Sequence, residues 1–382
     1  MEKRKIGTVA LGHFFCDLNT GSLPAVIPFL VSSYGFSYSA VTGLMFANSS
    51  LASIVQPAFG LLADRSPRRW FLPAGLALAG CGMASVGFAS LYWMLFFAVM
   101  LSGIGSALFH PVAMRFVNAS AGDRKSTATS MFIVGGNSGF LLAPLLIATL
   151  VQLMGLSGAL LLAIPSCLIA LLLWWQQPAA VTHAAGKKEA AENLNNWGAF
   201  ARLIVVVATQ SLILLGIRTL APLYLMKDFG LSSAAASMSL TLFGIASIAS
   251  NILGGMLADR IGCRRIIRFG YTLLVPTTLA LPYAGSLPLA FAVIFVINVA
   301  LFLPFSSVVV MGQRYLAKNV GFASGATMGL GVSLGGIFAP VLGYIADTAG
   351  LSFALQVLGA CTVAGMIAAW MLPSAREQRK NS

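Results

Sequence analysis

Long, continuous apolar stretches, separated by short polar segments, run through nearly the whole chain. A helix needs about 20 apolar residues to cross the hydrocarbon core of a bilayer, and these stretches have that length. They lack the alternation of apolar and polar positions that is typical of a membrane β-barrel. The pattern therefore predicts an all-α membrane protein with twelve transmembrane helices, over residues 6–31, 38–63, 70–89, 92–117, 127–152, 156–176, 200–226, 234–258, 267–286, 288–313, 320–346 and 351–372.

One long polar segment interrupts this pattern. Residues 176–196, QQPAAVTHAAGKKEAAENLNN, contain proline, glycine and charged residues but few large apolar ones, as is typical of a linker. We therefore predict an N-terminal six-helix bundle over 1–176, a cytoplasmic linker over 177–199 and a C-terminal six-helix bundle over 200–382.

The composition agrees with a chain embedded in lipid. Hydrophobic residues make up 58% and charged residues only 9% of the sequence, whereas soluble domains carry about 25% charged residues. The N-terminus is basic and then apolar, as in a signal peptide, but the apolar stretch continues past Asp17 to Val31 without a small-residue cleavage site. We therefore interpret it as the first transmembrane helix.

The basic residues are distributed unevenly between the two sides of the predicted membrane. Their excess gives a net charge of +13, but they lie in short clusters between apolar stretches, so no nucleic-acid partner is expected. With twelve spans, all of the 23 lysines and arginines except Lys227 and Arg218 fall on one side. The positive-inside rule places that side in the cytoplasm, together with both termini.

The two halves of the sequence resemble each other. GLLADRSPRR at 60–69 matches GMLADRIGCRR at 255–265, and ALFHP at 107–111 matches ALFLP at 300–304, at offsets of 195 and 193 residues. Because each half has an even number of predicted helices, the halves enter the membrane from the same side and form parallel repeats, with a cargo site expected between them near the midplane. A third match, at an offset of 196, pairs Gly135, Gly139, Ala143 and Pro144 with Gly331, Gly335, Ala339 and Pro340.

GLLADRSPRR and its second copy resemble the loop signature of the major facilitator superfamily. More narrowly, the N-terminal half resembles bacterial fosmidomycin-resistance proteins over about residues 10–150, in GHFFCDLNTGSLPAVIPFL, QPAFGLLADRSPRRWFLP, GIGSALFHPVAMRFV and VGGNSGFLLAPLL. Val112 stands where that subfamily usually has a glutamate after the His-Pro pair, and the fifth helix has Ala143-Pro144 where exporters usually have Gly-Pro. The resemblance implies a monomeric small-molecule transporter, multi-pass, in the bacterial cytoplasmic (inner) membrane.

Four ionisable residues lie well inside predicted spans, where charge is costly and usually functional: His13, Asp17, His110 and Arg218. His13 and Asp17 are four residues apart and so share one helix face. His13 and His110 each lie about 10 Å from the cytoplasmic end of a span, at 1.5 Å per residue. We expect Asp17, His13 and His110 to carry proton coupling. The alternatives are a fixed His13–Asp17 pair that only packs the first helix, and a structural hydrogen bond of His110 near Pro111.

Arg218 is the candidate for binding the cargo, because a guanidinium suits phosphate, phosphonate and carboxylate groups. The alternative is that Arg218 pairs with Asp17 or with the C-terminus of a helix. Four uncharged polar residues within spans are weaker candidates for cargo binding, since each can also bond a neighbouring helix: Asn137, Gln56, Gln210 and Asn298.

The two copies of the loop motif are expected to form a gate on the cytoplasmic side, as the resemblance implies. Asp64 can meet the positive N-terminal end of the eleventh helix near Gly321. The alternative is that these charges only set topology. The candidate gating residues are Asp64, Arg65, Arg68, Arg69, Asp259 and Arg260.

We expect a secondary active transporter, namely a proton-coupled antiporter that exports a small amphipathic or anionic compound such as an antibiotic or a metabolite. Its partners are then the small-molecule cargo, protons and the lipid bilayer. Two alternatives stay open, a proton symporter for uptake of a small polar solute and a membrane sensor that does not transport. The sequence has no phosphate loop, no metal-ligand spacing and no catalytic triad, so we expect neither an enzyme nor a cofactor or metal.

Overall fold

A computed structural model describes residues 2–50, 54–56, 58–59, 62, 68–89, 91–120, 125–176, 195–316, 322–323, 326–327 and 331–373. Over these ranges the chain is helical apart from short turns, and no strand is present. The all-α prediction is therefore confirmed. The predicted linker lies almost wholly outside the described residues.

In the described part of the chain before the linker, six helices have defined bounds. They are α1 (Lys3–Tyr34), α2 (Tyr38–Met45), α3 (Phe71–Ala84), α4 (Tyr92–Ser120), α5 (Lys125–Met154) and α6 (Ala163–Gln176). A π-helical turn, Phe46–Ser50, continues α2, and 3₁₀ segments over Ser85–Phe88 and Gly155–Leu162 follow α3 and precede α6.

After the linker, seven helices have defined bounds among the described residues. They are α7 (Trp197–Phe229), α8 (Ser233–Ile261), α9 (Cys263–Ala280), α10 (Leu287–Phe302), α11 (Phe305–Tyr315), α12 (Gly331–Ala349) and α13 (Leu351–Trp370). Together α10 and α11 make up the tenth predicted span. They are separated at Pro304, which has no backbone N–H to continue the helical hydrogen bonds.

Eight helical stretches in the described part of the chain are long and apolar enough to cross a membrane. One of them, Met131–Gln176, contains most of the fifth and all of the sixth predicted span, which are separated at Gly155, whose φ is 66°. The second and eleventh predicted spans are described only in part. The count of twelve transmembrane helices therefore stays a prediction.

Left-handed glycines at matching positions support the internal repeat. Gly35 ends α1 with φ 66°, and Gly230, 195 residues later, ends α7 with φ 67°. The Gly35 N–H bonds to the carbonyl of Leu30, and the Gly230 N–H to that of Leu225, again 195 residues later. Glycine is favoured here because a Cβ is strained at positive φ. Both repeats therefore end their first helix in the same way.

The residues group into two compact units. The first comprises 1–36, 43–186 and 232–241, and the second comprises 37–42, 187–231 and 242–382. In the first unit α1 packs mainly against α5, and α3 packs against α4 and α6. In the second unit α7 packs against α12 and α13, and α13 packs against α9.

Glycines allow α1 and α5 to approach closely. A Cβ built on Gly135 would overlap the carbonyl oxygen of Ala10, and one on Gly139 would overlap that of Phe14. Small residues four apart are a common way for membrane helices to pack backbone against backbone. The glycines that the sequence marks as part of the repeat thus bring α5 against the face of α1 that carries His13 and Asp17.

Candidate functional site

Two of the ionisable residues lie on α1, one helical turn apart. The Nε2 atom of His13 lies 3.1 Å from Oδ2 of Asp17. Both side chains are buried in the first unit, and Cys16, which is fully buried, is the neighbouring ionisable side chain on α1. The i, i+4 spacing, which puts both residues on one helix face, here produces a direct contact between the imidazole and the carboxylate.

The third residue reaches the same carboxylate from α4. The Nε2 atom of His110 lies 3.1 Å from Oδ1 of Asp17. The two imidazole rings have centroids 5.0 Å apart and are nearly perpendicular, at 84°. The side chain of His110 is 27% exposed, compared with 9% for His13 and 7% for Asp17. The three residues form one cluster, the His13–Asp17–His110 triad, and His110 is its most accessible member.

Backbone carbonyls fix the other nitrogen of each ring. The Nδ1 atom of His13 lies 2.7 Å from the carbonyl oxygen of Phe132 on α5, and the His13 ring stacks on the Phe132 ring with centroids 3.8 Å apart. The Nδ1 atom of His110 lies 2.8 Å from the carbonyl oxygen of Ser106 on its own helix. The Ser106 hydroxyl also lies 3.2 Å from Nδ1 of His110. A carbonyl oxygen only accepts hydrogen bonds, so both carbonyl contacts are satisfied by the tautomer in which Nδ1 carries a hydrogen and donates.

This arrangement determines how many protons the triad needs. A neutral imidazole that is protonated at Nδ1 has only a lone pair at Nε2, and an ionised carboxylate also offers only lone pairs. Each of the two 3.1 Å contacts to Asp17 therefore needs a hydrogen of its own. With both rings donating from Nδ1, this geometry is satisfied when the triad has taken up two protons relative to two neutral histidines and an ionised Asp17.

The backbone of α5 closes one side of the triad. A Cβ built on Gly136 would overlap Oδ2 of Asp17 and the ring of His13. Gly136 is thus the position that lets α5 lie directly against the two polar groups. Sequence reasoning did not single out Gly136 or Phe132, although the Gly135–Gly136 pair inside an apolar stretch is a visible signal of a close approach.

Two imidazoles and a carboxylate also form the donor set of many metal sites. In the described part of the chain the donor atoms of the triad lie within 4.8 Å of one another. Asp17 meets the two rings through different oxygens, and each contact has the length of a direct hydrogen bond. Two separate contacts, one to each carboxylate oxygen, are expected when a separate proton bridges each of them.

Two of the weaker cargo candidates are engaged within the second unit. Gln210 on α7 is buried, and its amide donates to the carbonyl oxygen of Leu301 at 2.6 Å. Asn298 on α10 is buried, donates to the carbonyl oxygen of Ile294 at 2.9 Å and accepts from Ser247 at 3.3 Å. Both side chains therefore form hydrogen bonds to helices of the second unit, as in the alternative interpretation that they bond neighbouring helices.

The other cargo candidates are more accessible. Arg218 on α7 and Gln56, in the short helical segment 54–56, are half-buried, and Asn137 on α5 is exposed. Asn137 directly follows Gly136, so it lies beside the triad in sequence but on another face of α5.

The structure describes only part of the predicted gate. Asp64, Arg65 and Gly321 lie outside the described residues, as does the side chain of Asp259. Arg68, Arg69 and Arg260 are exposed. The guanidinium of Arg69 lies over the ring of Trp174 at the end of α6, 4.5 Å from the ring centroid, so it also contributes packing within the first unit.

The family follows from a comparison with known sequences. The family model of the Major Facilitator Superfamily matches residues 9–340, with a second match over 216–382. The chain belongs to the Major Facilitator Superfamily. It is therefore a membrane transporter by family, and the predicted resemblance is confirmed.

Two curated relatives of this superfamily chain match it over nearly its whole length. It is 30% identical to the uncharacterised transporter YfnC of Bacillus subtilis, over 97% of this chain and 93% of that protein. It is 28% identical to the fosmidomycin resistance protein of Escherichia coli, over 95% of this chain and 91% of that protein. A solved bacterial homologue of the human lysosomal transporter Spinster has the same fold, with a TM-score of 0.78, 16% identity and coverage of 99% and 96% of the two chains.

Proposed function

We propose that this transporter is a proton-coupled antiporter that exports a small amphipathic or anionic compound from the bacterial cytoplasm by alternating access. The observation that carries the proposal is the His13–Asp17–His110 triad, whose two contacts to Asp17 each need a proton. The relative whose name records fosmidomycin resistance supports export of an antibiotic or a similar metabolite.

Protonation changes the forces between α1 and α4. With two protons bound, Asp17 lies between two hydrogen-bond donors, and the charge-assisted bonds hold the helices together. Without them, the lone pairs of each Nε2 and of the carboxylate face each other at 3.1 Å, which is repulsive. Loss of protons therefore favours an arrangement in which His110 moves away from α1. A two-state transporter can use such a change to link proton release to a change of access.

The direction of coupling follows from antiport. Protons enter the triad while it is accessible from outside and leave it towards the cytoplasm, and cargo moves the opposite way. His110 provides the route for exchange, because it is the most accessible member of the triad. Asp17 is the central carrier, since both contacts depend on its carboxylate.

Arg218 is the proposed contact for an anionic group of the cargo. It is half-buried on α7, within a span, where an arginine is costly to keep without a function. Gln56 and Asn137 are accessible enough to contribute further hydrogen bonds to the cargo. Gln210 and Asn298 act indirectly, by holding α7 and α10 in place.

A proton-flux assay tests this function. Protein in proteoliposomes that enclose a pH-sensitive dye is exposed to a panel of compounds that includes fosmidomycin, other anions, neutral amphiphiles and lipophilic cations, with a metal chelator present throughout. We expect at least one anion or amphiphile to trigger proton movement opposite to its own flux. The matched control is Asp228→Asn, which removes an exposed carboxylate at the end of α7 and should behave like the wild type.

Two results would contradict the proposal. Movement of protons and compound in the same direction would show a symporter. A compound that binds without moving itself or protons in any gradient would show a protein that senses rather than transports.

A further inference from the structure

Two short segments belong to a different compact unit from the rest of their half of the sequence. Residues 37–42 come from the first half but belong to the second unit, and residues 232–241 come from the second half but belong to the first unit. The repeat offset of 195 residues carries 37–42 onto 232–237. Each repeat therefore contributes the start of its second helix, α2 or α8, to the other unit.

The start of α2 is held by a carboxylate from α12. Asp347 Oδ1 accepts from the Tyr38 N–H at 2.7 Å, Oδ2 accepts from the Ser39 N–H at 2.8 Å, and the Ser39 hydroxyl also donates to Oδ2. The hydroxyl of Ser37 accepts from the Ala40 N–H at 3.2 Å. Three of the four N–H groups that a helix start leaves free are thus satisfied, two of them by Asp347. The negative charge also lies at the positive end of the helix dipole.

Close packing one turn earlier on α12 brings this carboxylate into place. A Cβ on Gly343 would overlap the Thr42 hydroxyl and would lie 2.7 Å from the carbonyl oxygen of Tyr38. Gly343 and Asp347 are four residues apart and share one face of α12. Gly343 therefore lets α12 approach α2 closely, and Asp347 accepts hydrogen bonds from the start of α2 once the helices are that close.

The repeat-related contact at the start of α8 is uncharged. The hydroxyl of Ser237, which corresponds to Thr42 in the repeat, donates to the carbonyl oxygen of Ala25 at 2.6 Å. The hydroxyls of Ser233 and Ser32 lie 2.7 Å apart. Val151 corresponds to Asp347 at the offset of 196 residues, so no carboxylate is available there. Of these two related contacts, only the one between α2 and α12 depends on a charge.

We propose that Asp347 is the gating residue on the outer side of this transporter, and that its cap on α2 stabilises the state that is closed to the outside. The predicted topology places both the start of α2 and the end of α12 outside the membrane, opposite the candidate cytoplasmic gate. Opening to the outside separates these two ends and removes the cap. The inference rests on the proposed alternating access, and it adds a residue that the motif-based gate does not include.

Distances between spin labels test this proposal. Labels are placed at Leu91→Cys and Gly285→Cys, in two predicted outer loops, in a chain whose five native cysteines are replaced. Asp347→Asn and Asp347→Ala should increase the ratio of the long-distance to the short-distance population about two- to five-fold, with alanine giving the larger effect. Gly343→Ala should act in the same direction, because its methyl group forces α12 away from α2. Glu2→Gln, which removes an exposed carboxylate on the predicted cytoplasmic side, is the control and should leave the ratio unchanged.

The measurement needs neither cargo nor a pH gradient, so it is independent of the proton-flux assay. A shifted ratio with no proton-coupled transport would support the gate and contradict the proposed coupling. An unchanged ratio in both Asp347 variants, or a shift towards short distances, would overturn the gate whatever the flux assay shows. Thermal unfolding of each variant at the wild-type temperature confirms that the distances report on folded protein.

Discussion

The Nε2 atom of His110 lies 3.1 Å from Oδ1 of Asp17, although the two residues are 93 positions apart and lie on different helices. This contact joins α4 to α1 at the point where His13 already holds the other carboxylate oxygen. Because both rings use Nδ1 to donate to backbone carbonyls, the two contacts together need two protons. We propose that proton uptake and the packing of α1 against α4 are linked in this way.

The first prediction concerns the number of protons. In His110→Gln the side-chain amide can donate to Asp17 without taking up a proton, so the contact can be kept while one titrating group is lost. The ratio of protons to cargo should fall from two to one. It is measured from the pH gradient that balances a known cargo gradient in proteoliposomes. A ratio of two in the variant would show that His110 does not carry a proton.

The second prediction concerns Gly136. Alanine at this position places a methyl group on Asp17 and His13, so the triad must move apart. We expect loss of coupled transport and a fall in the free energy of unfolding of about 1–3 kcal/mol, as is typical of overpacking. The control is Gly7→Ala on α1, where an added Cβ meets no atom within 4 Å. Wild-type coupling in Gly136→Ala would mean that the triad geometry is not needed.

The third prediction concerns the cytoplasmic gate. Asp64→Asn should shift the population towards states open to the cytoplasm, because a carboxylate at the end of a helix is worth about 0.3–2 kcal/mol. The shift is therefore partial, and opposite in direction to that of Asp347→Asn. Spin labels on cytoplasmic loops of the two halves measure it. An unchanged distribution would favour the alternative that the loop charges only set topology.

The fourth prediction concerns topology. Single cysteines at the exposed positions Arg68 and Arg265 should react with an impermeant reagent only from the cytoplasmic side, and a cysteine at Lys227 only from outside. Labelling of Arg68→Cys and Arg265→Cys from opposite sides would require an odd number of spans between them and would contradict the parallel repeat.

Sequence patterns predicted those features of the fold and of the candidate site that depend on the position of a residue along a helix. Hydrophobic length and repeat spacing indicated two parallel six-helix repeats, and the resemblance of GLLADRSPRR to a known loop signature indicated the family. The i, i+4 spacing together with equal depth indicated that His13, Asp17 and His110 lie near one another. The proton count could not be predicted in this way, because it depends on the carbonyl oxygens of Phe132 and Ser106, which every residue possesses. Gln210 and Asn298 show the opposite case, since a polar residue in a span indicates a partner but not whether that partner is cargo or backbone.

The outer contact was also beyond sequence reasoning. Asp347 and Tyr38 are 309 residues apart, and neither belongs to a motif that recurs in the two halves. The contact depends on the packing of α12 against α2, and no local sequence pattern indicates which helix ends meet.

The most direct test of the central claim is cargo flux across proteoliposomes, with and without an imposed pH gradient, for the wild type and for Asp17→Asn. Asparagine keeps the shape of the side chain but has no negative charge and only one acceptor oxygen, so it cannot accept from both imidazole rings and hold the two protons of the triad. We expect the variant to bind cargo with near wild-type affinity and to equilibrate it, but no longer to concentrate it when the gradient is applied. Accumulation of cargo by Asp17→Asn at a rate near that of the wild type would contradict it.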